Sequence, residues 1–243
     1  MPQPFFGEDI TMINKDLLKA GAPALGDEAL ERFDKYAEML VSKNEQINLT
    51  AITEPDEIVR KHFLDSLALL NYVDLPEGSS LIDVGTGAGF PGLALLIARP
   101  DLKITLLDST GKKLRVIDEI LNEIGLQANL VHARAEEAGR DPDFREKYDF
   151  AVARAVANLR ELTEYCVPFV KKGGSFIAMK GAGADEELKN SENAIAVLGG
   201  KVKEINKFSL DGCGERVIIN IEKINFTDAK YPRPASQMKK KPL

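Results

Sequence analysis

Two hydrophobic rhythms divide the chain. Over residues 8–72 apolar positions recur at helical spacing, and Asp27 to about Gln46 places Leu30, Phe33, Ala37, Leu40 and Val41 on one face with charges opposite. Ile47-Asn48-Leu49-Thr50-Ala51-Ile52 breaks that pattern and reads as a connector. Thr53-Glu54-Pro55-Asp56 opens a second helix, with Thr53 as the expected N-cap and Pro55 in the first turn. Its apolar set is Ile58, Val59, Leu64, Leu67, Ala68 and Leu70. His62, Asp65 and Ser66 lie together on this helix, either as a local His–Asp pair bracing it or as the wall of a site.

From residue 80 strands alternate with helices. The expected strands are 80–84, 103–108, 128–132, 148–153 and 174–179. Between them lie helices at about 90–99, from Ser109 or Thr110 to Gly125, and from Leu159 to about Val170. A polar helix at about 184–198 precedes two more strands, 201–208 and 215–222, joined by a hairpin turn at Asp211-Gly212-Cys213-Gly214. Such alternation predicts an α/β fold: a doubly wound, Rossmann-like, mostly parallel seven-stranded sheet ending in an antiparallel hairpin. The chain divides by character into a helical extension (1–72), a ligand-binding domain (73–229) and a basic tail (230–243).

Composition narrows the class. The 243 residues suffice for a full core, and no apolar run reaches membrane-spanning length. No signal peptide is evident, and the Pro- and Phe-containing start at residues 1–7 reads as a loose end. Two cysteines, Cys166 and Cys213, and two histidines, His62 and His132, exclude the common zinc frameworks, so no metal site is expected. A reduced, cytoplasmic protein is expected, and nothing suggests an obligate dimer. The net charge of −6 argues against bulk nucleic-acid binding but leaves room for local basic patches. Lys112, Lys113 and Arg115 form one cluster, and residues 230–243 carry five basic residues and no acid.

The candidate chemistry centres on Asp83-Val84-Gly85-Thr86-Gly87-Ala88-Gly89-Phe90-Pro91-Gly92. Glycines between a strand and a helix let a ligand approach the main chain closely. The pattern Gly87-x-Gly89-x-x-Gly92 alone fits a dinucleotide and hence an NAD-dependent oxidoreductase. Asp83 changes the balance, because a carboxylate beside the cradle suits a cationic ligand and would repel a pyrophosphate. Asp-x-Gly-x-Gly-x-Gly resembles the first motif of class I S-adenosylmethionine (SAM) methyltransferases, whose sheets end in a hairpin as this one is expected to. Ligands in such sheets bind beyond the carboxyl ends of the strands. Gly85, Gly87 and Phe90 follow strand one, and Asp108 ends strand two, where it could accept ribose hydroxyls. Ala135 and Glu136 follow strand three at the adenine edge, and Arg154 follows strand four, nearest the transferred methyl. The segment Ala153-Arg154-Ala155-Val156-Ala157 has neither the Asn/Asp-Pro-Pro-aromatic loop of amine methylation nor a cysteine nucleophile. Cys166 sits at core spacing. An already nucleophilic ring nitrogen therefore fits, needing placement and no base, with Arg154 as an orienting group.

These residues carry a closer resemblance. Asn48-Leu49-Thr50, His62-Phe63-Leu64-Asp65-Ser66, the extended glycine motif, Asp108-Ser109 with Lys112-Lys113, Arg134-Ala135-Glu136, Ala153-Arg154-Ala155-Val156-Ala157 and Lys180-Gly181 recur in one family. The chain resembles, nearly end to end, the bacterial small-subunit ribosomal RNA guanine-N7 methyltransferase G family. The resemblance implies SAM-dependent methylation of N7 of one guanine in a 16S rRNA loop, with Gly85, Phe90, Ala135, Glu136 and Arg154 at the cofactor. It implies small-subunit rRNA or the assembling small ribosomal subunit as partner, met by Lys112, Lys113, Arg115, Lys180, Arg233, Lys239, Lys240 and Lys241. In the tail, Ala235-Ser236-Gln237-Met238 stands where the family has Gly-Thr-Pro. Methylation of another RNA or a small molecule, and a non-catalytic SAM-binding role in ribosome assembly, are the alternatives.

Overall fold

The computed structural model describes residues 11–154 and 157–243; the start at residues 1–7 and the pair Ala155-Val156 lie outside the described residues. Helices α1 (Lys15–Gly21) and α2 (Asp27–Ile47) lead to a helical stretch that changes pitch three times. It runs as α3 (Pro55–Ile58), a π-helical segment Val59–Leu64, α4 (Asp65–Leu67) and a 3-10 turn Ala68–Asn71. The alternating part follows as β1 (Ser80–Val84), α5 (Gly92–Ala98), β2 (Lys103–Asp108), α6 (Gly111–Ile124), β3 (Asn129–His132) and α7 (Ala135–Ala138). It continues as β4 (Tyr148–Arg154), α8 (Leu159–Cys166), β5 (Val170–Lys180), α9 (Ala184–Val197), β6 (Gly200–Leu210), β7 (Gly214–Lys223) and α10 (Ala235–Lys240).

The seven strands form one sheet in the order β3-β2-β1-β4-β5-β7-β6. The first five are parallel, and β7 runs antiparallel between β5 and β6. Chain order reverses between β1 and β4, which opens a crevice at their carboxyl ends. Alternation along β1 sends Leu81 to one face and Ile82 and Val84 to the other. The Leu81 face packs on α1 to α6 through Leu18, Phe33, Leu40, Phe63, Leu95 and Ile117. The Ile82 face packs on α8 and α9 through Leu159, Leu162 and Ile195. The N-terminal helices thus share a hydrophobic cluster with the sheet, and Arg32 Nε adds a bond to the Ile124 carbonyl at the end of α6 (3.1 Å).

Several local expectations shift. Glu54, not Thr53, is the N-cap of α3, and Pro55 takes the first helical position. Helix α5 begins at Gly92, because Phe90-Pro91 still belong to the turn. Helix α8 stops at Cys166 and tightens into a 3-10 turn over Val167–Phe169, since Pro168 has no N–H to continue the ladder. His62 and Asp65 do not pair: His62 Nε2 meets Thr50 Oγ1 at 2.8 Å, while Asp65 takes two arginines described below.

The basic tail is packed onto the fold. Ala235-Ser236-Gln237-Met238 contains no helix breaker and opens α10, burying Met238; Tyr231 is buried before it. Arg145 Nη1 donates to the Tyr231 carbonyl and Arg140 Nε to the Pro232 carbonyl, each at 2.7 Å. Arg233, expected to face RNA, instead forms a two-pronged pair with Glu164 of α8, Nε to Oε1 at 2.8 Å and Nη2 to Oε2 at 2.7 Å. The Glu164 side chain is only 2% exposed, so it needs that partner. Breaking such a pair from one side leaves a buried charge and costs about 3–5 kcal/mol. Arg233→Ala is therefore expected to lower the melting temperature sharply in thermal unfolding, whereas Lys240→Ala and Lys241→Ala, on exposed positions, should stay within about 0.5 kcal/mol of the parent. Equal behaviour of the three would show that the tail does not depend on this pair.

Candidate functional site

The turn between β1 and α5 is built around a buried acid. Asp83 Oδ2 accepts from Thr86 Oγ1 (2.7 Å) and from the Gly92 backbone N–H (2.8 Å). One oxygen thus ties the start of the turn to the first N–H of the helix. Gly92 is required there, since a Cβ would lie 2.4 Å from Leu106 Cδ2 and 2.8 Å from Asp83 Cβ. Asp83 Oδ1 is buried without a partner among the described residues. Burial pushes the Asp83 carboxyl up to about 6, with the Thr86 and Gly92 bonds opposing. The sequence placed this acid beside the ligand cradle; it lies instead beneath the turn and is absent from the cleft lining.

Above the turn opens a cleft of about 680 Å³. Gly85, Gly87, Phe90, Asp108, Ala135, Glu136 and Arg154 all line it. They come from the ends of β1, β2, β3 and β4, which the parallel order brings to one edge. Gly87 has φ +61, and a Cβ on it would meet only the Gly85 carbonyl, at 3.9 Å. The space above that backbone is therefore open to a ligand. Asp108 holds the loop through Gly87 N–H to Oδ2 (2.9 Å) and Thr110 N–H to Oδ1 (2.7 Å). It is buried yet borders the cleft, which leaves carboxylate lone pairs for ligand hydroxyls.

These residues fit SAM. A carboxylate at the end of β2 suits a ribose diol, and the open backbone at Gly87 suits a close-lying chain. The unpaired Asp83 oxygen sets a negative field under the turn, which favours a sulfonium and an ammonium and disfavours a pyrophosphate.

The far wall is an aromatic stack closed by an arginine. The Phe90 ring packs against His62 (4.4 Å between centroids, 17° apart) and Tyr36 (5.2 Å), and the Arg154 guanidinium lies over it at 5.1 Å. Tyr36 Oη donates to the Ala88 carbonyl at 2.7 Å, fixing the turn from the helical side. Arg154 Nη1 donates to Asp65 Oδ2 (3.0 Å) and to the carbonyls of Lys61 (3.2 Å) and His62 (3.3 Å). Those carbonyls lie in the π-helical segment, whose wider pitch departs from the α ladder. Asp65 Oδ1 accepts from Arg216 Nε of β7 at 2.7 Å. Burial, reinforced by the Arg154 charge, holds the His62 imidazole down at about 4, so it is neutral at physiological pH.

The basic candidates separate. Lys113 and Lys239 line the cleft, the latter carried there by α10. Lys112 and Arg115 border a shallow depression with His132 on the outer side of α6. Lys240 and Lys241 are exposed. Lys180 is turned inward, donating to the Ala157 carbonyl and pairing with Glu187, each at 2.8 Å, so it ties loops together and is not presented to a partner. Sequence reading missed Tyr36, Arg216, Glu161 and Tyr165 at or around the cleft, and no motif marks them. Cys166 is buried, and among the described residues no cluster of His, Cys, Asp and Glu could hold a metal. No described helix is long and apolar enough to cross a membrane.

Comparison with known proteins follows the same lines. The pattern of the rRNA small subunit methyltransferase G family matches residues 29–218. The Ribosomal RNA small subunit methyltransferase G of Alkaliphilus metalliredigens is 48% identical over 238 residues, covering 96% of this chain and all of that one. The protein of the same name from Acetivibrio thermocellus is 46% identical over 235 residues, covering 94% and 96%. Among solved structures, TrmN from Thermus thermophilus superposes with a TM-score of 0.52 at 18% identity, over 68% of this chain and 53% of that one. Precorrin-6y C5,15-methyltransferase from Geobacter metallireducens gives 0.50 at 17% identity, over 71% and 90%. The fold is that of class I SAM-dependent methyltransferases.

Asp83 and His62 give opposite pH dependences. A carboxyl raised to about 6 contributes stability below its unfolded value of 3.8 that is lost as pH rises through about 6. An imidazole lowered from 6.5 to about 4 contributes stability above 6.5 that is lost as pH falls through about 4. Each amounts to about 3 kcal/mol, so between about pH 4 and 6 the two slopes oppose one another. Asp83→Asn removes the first. Its melting temperature, followed by circular dichroism, is expected to fall more steeply than the parent's on acidification from pH 6.5 to 4. Parallel profiles would mean that Asp83 does not titrate in this window.

Proposed function

The chain belongs to the rRNA small subunit methyltransferase G family, and from that membership we propose that it transfers the methyl group of SAM to N7 of a guanine in a 16S rRNA loop. The observation that carries this reading is the convergence of seven strand-end residues on one cleft whose far wall, among the described residues, pairs a guanidinium with an imidazole of depressed basicity. SAM, when bound, supplies a methyl group on a sulfonium, and transfer leaves the electron pair of the broken C–S bond on sulfur. The chain's own task is placement. Asp108 would accept the ribose hydroxyls, and the Gly85–Gly87 backbone would hold the methionine part. Ala135 and Glu136, in the same lining, would hold the adenine end, with Phe90 and Arg154 beside the acceptor. Holding two reactants in line is worth several kcal/mol of barrier.

Among the described residues of the far wall no group is free to act as a base, which supports N7. Arg154 cannot take a proton, and His62 has its basicity depressed to about 4. Asp65 is held by two arginines, and the thiol of Cys166 is buried with its pKa raised by that burial. An amine or carbon acceptor would have to lose a proton here, whereas guanine N7 carries a free lone pair and no hydrogen. Guanine N7 faces the major groove, which in A-form RNA is too deep and narrow for side chains. The target therefore lies in a loop or is extruded. Lys112, Lys113, Arg115, Lys239, Lys240 and Lys241 are the proposed contacts to phosphate; Lys180 and Arg233 are not among them. The partner is small-subunit rRNA, naked or in the assembling particle, and the protein acts as a monomer in the cytoplasm.

Methyl transfer from labelled SAM to unmodified small subunits and to their deproteinised rRNA tests the proposal. One alkali-labile guanine is expected in the mapped product, and SAM binding without transfer to either substrate would point to a non-catalytic role in assembly. Asp108→Ala should weaken SAM binding by about 1–3 kcal/mol in calorimetry, roughly five- to 150-fold in Kd. Unchanged affinity would remove Asp108 from the cofactor site.

A further inference from the structure

A second cavity of about 420 Å³ adjoins the cleft, and His62 and Arg154 line both. Its apolar lining includes Met179, Phe208 and Ile218. Its rim carries Lys61, Arg154 and Arg216 against Asp65, while Lys180 and Glu187, paired with one another, complete the polar lining. Apolar surface beside cationic side chains suits a planar, electron-rich ring joined to an anionic chain. We infer that this cavity receives the purine of the target nucleotide, its carbonyl edge turned to Arg154 and Arg216.

The hydrogen-bond inventory supports the orientation. Arg154 uses Nη1 toward the described residues, and Arg216 uses Nε and Nη1, on Asp65, Cys213 and Glu215. Arg154 Nε and Nη2 and Arg216 Nη2 have no partner among the described residues. These are donors, and guanine presents O6 as an acceptor next to N7, while adenine presents a donor amine at the same place. A guanine held through O6 keeps its N7 lone pair unused. Asp65 bridges the two arginines and so sets their spacing; it is a positioning residue for this pocket. The cavity draws on the π-helical segment, on β5 and on the hairpin strand β7, so the antiparallel ending of the sheet supplies part of the acceptor site. The inference rests on the proposed methyltransferase function and adds where the acceptor sits.

Gly181 gives a way to fill the cavity without disturbing the fold. A Cβ there would meet nothing nearer than 3.9 Å, with Arg216 Nη1 and the Glu215 carbonyl as its neighbours, and its backbone is not in the left-handed region. Gly181→Leu is expected to keep the parent's melting temperature and SAM affinity. Methyl transfer to small subunits should fall at least tenfold, mainly through a higher KM for the RNA substrate. Transfer at the parent's rate, or loss of SAM binding together with transfer, would overturn the assignment. Should Gly181→Leu melt lower, Gly181→Val decides on the same readouts. Failure of the parent protein itself to methylate would count against the proposed function, whereas an active parent with an equally active variant counts only against this pocket.

Discussion

One carboxylate oxygen fixes the ligand-facing turn. Asp83 Oδ2 takes both Thr86 Oγ1 and the first N–H of α5, so the chain leaves β1, folds over its own acid and enters the helix in one move. The second oxygen has no partner among the described residues, and its charge is felt instead by whatever lies above the turn. A buried, half-satisfied carboxylate destabilises the fold unless it is protonated or opposed by a cation. Its raised pKa is the thermodynamic trace of that conflict. The site therefore keeps a local electrostatic strain that a cationic ligand relieves, consistent with a cofactor bearing two positive groups.

The second organising contact is Arg154. It ends β4 at the reversal of strand order, lies over Phe90, and reaches two carbonyls and a carboxylate of the N-terminal helical region. Through Asp65 it is linked to Arg216 on the hairpin. Three parts of the chain distant in sequence thus meet on one guanidinium. This explains why the N-terminal helices are continuous with the sheet: they contribute the inner wall of the cleft and share its hydrophobic cluster. The tail plays a comparable part on the opposite face, where the Arg233–Glu164 pair anchors α10 and carries Lys239 to the cleft mouth.

Much of this was legible in the sequence. Short, nearly continuous apolar runs leading to Asp83, Asp108 and Arg154 mark strands buried on both faces, and parallel strands point their carboxyl ends to one edge. The glycine spacing and the acid before it mark the turn, because only glycine admits a close ligand at Gly87 and a close helix at Gly92. The hairpin ending was equally plain in Asp211-Gly212-Cys213-Gly214 between alternating strands.

Tertiary structure decided the rest, since each such feature depends on which distant groups become neighbours. Nothing local distinguishes Arg233, which is pinned to Glu164, from the lysines near it, which face solvent. Lys180 reads as a candidate contact until α9 brings Glu187 to it. His62 and Asp65 sit three residues apart and look like a pair, but the π-helical pitch turns one to Thr50 and the other to two arginines. Asp83 reads as a ligand-facing acid, whereas the alternation of β1 sends it inward. Periodicity and backbone sterics set the order of elements, the turn and the residue types at the strand ends, and all three can be read along the chain. Pairing of charges, burial and the second cavity arise from contacts across many tens of residues, which no local pattern encodes.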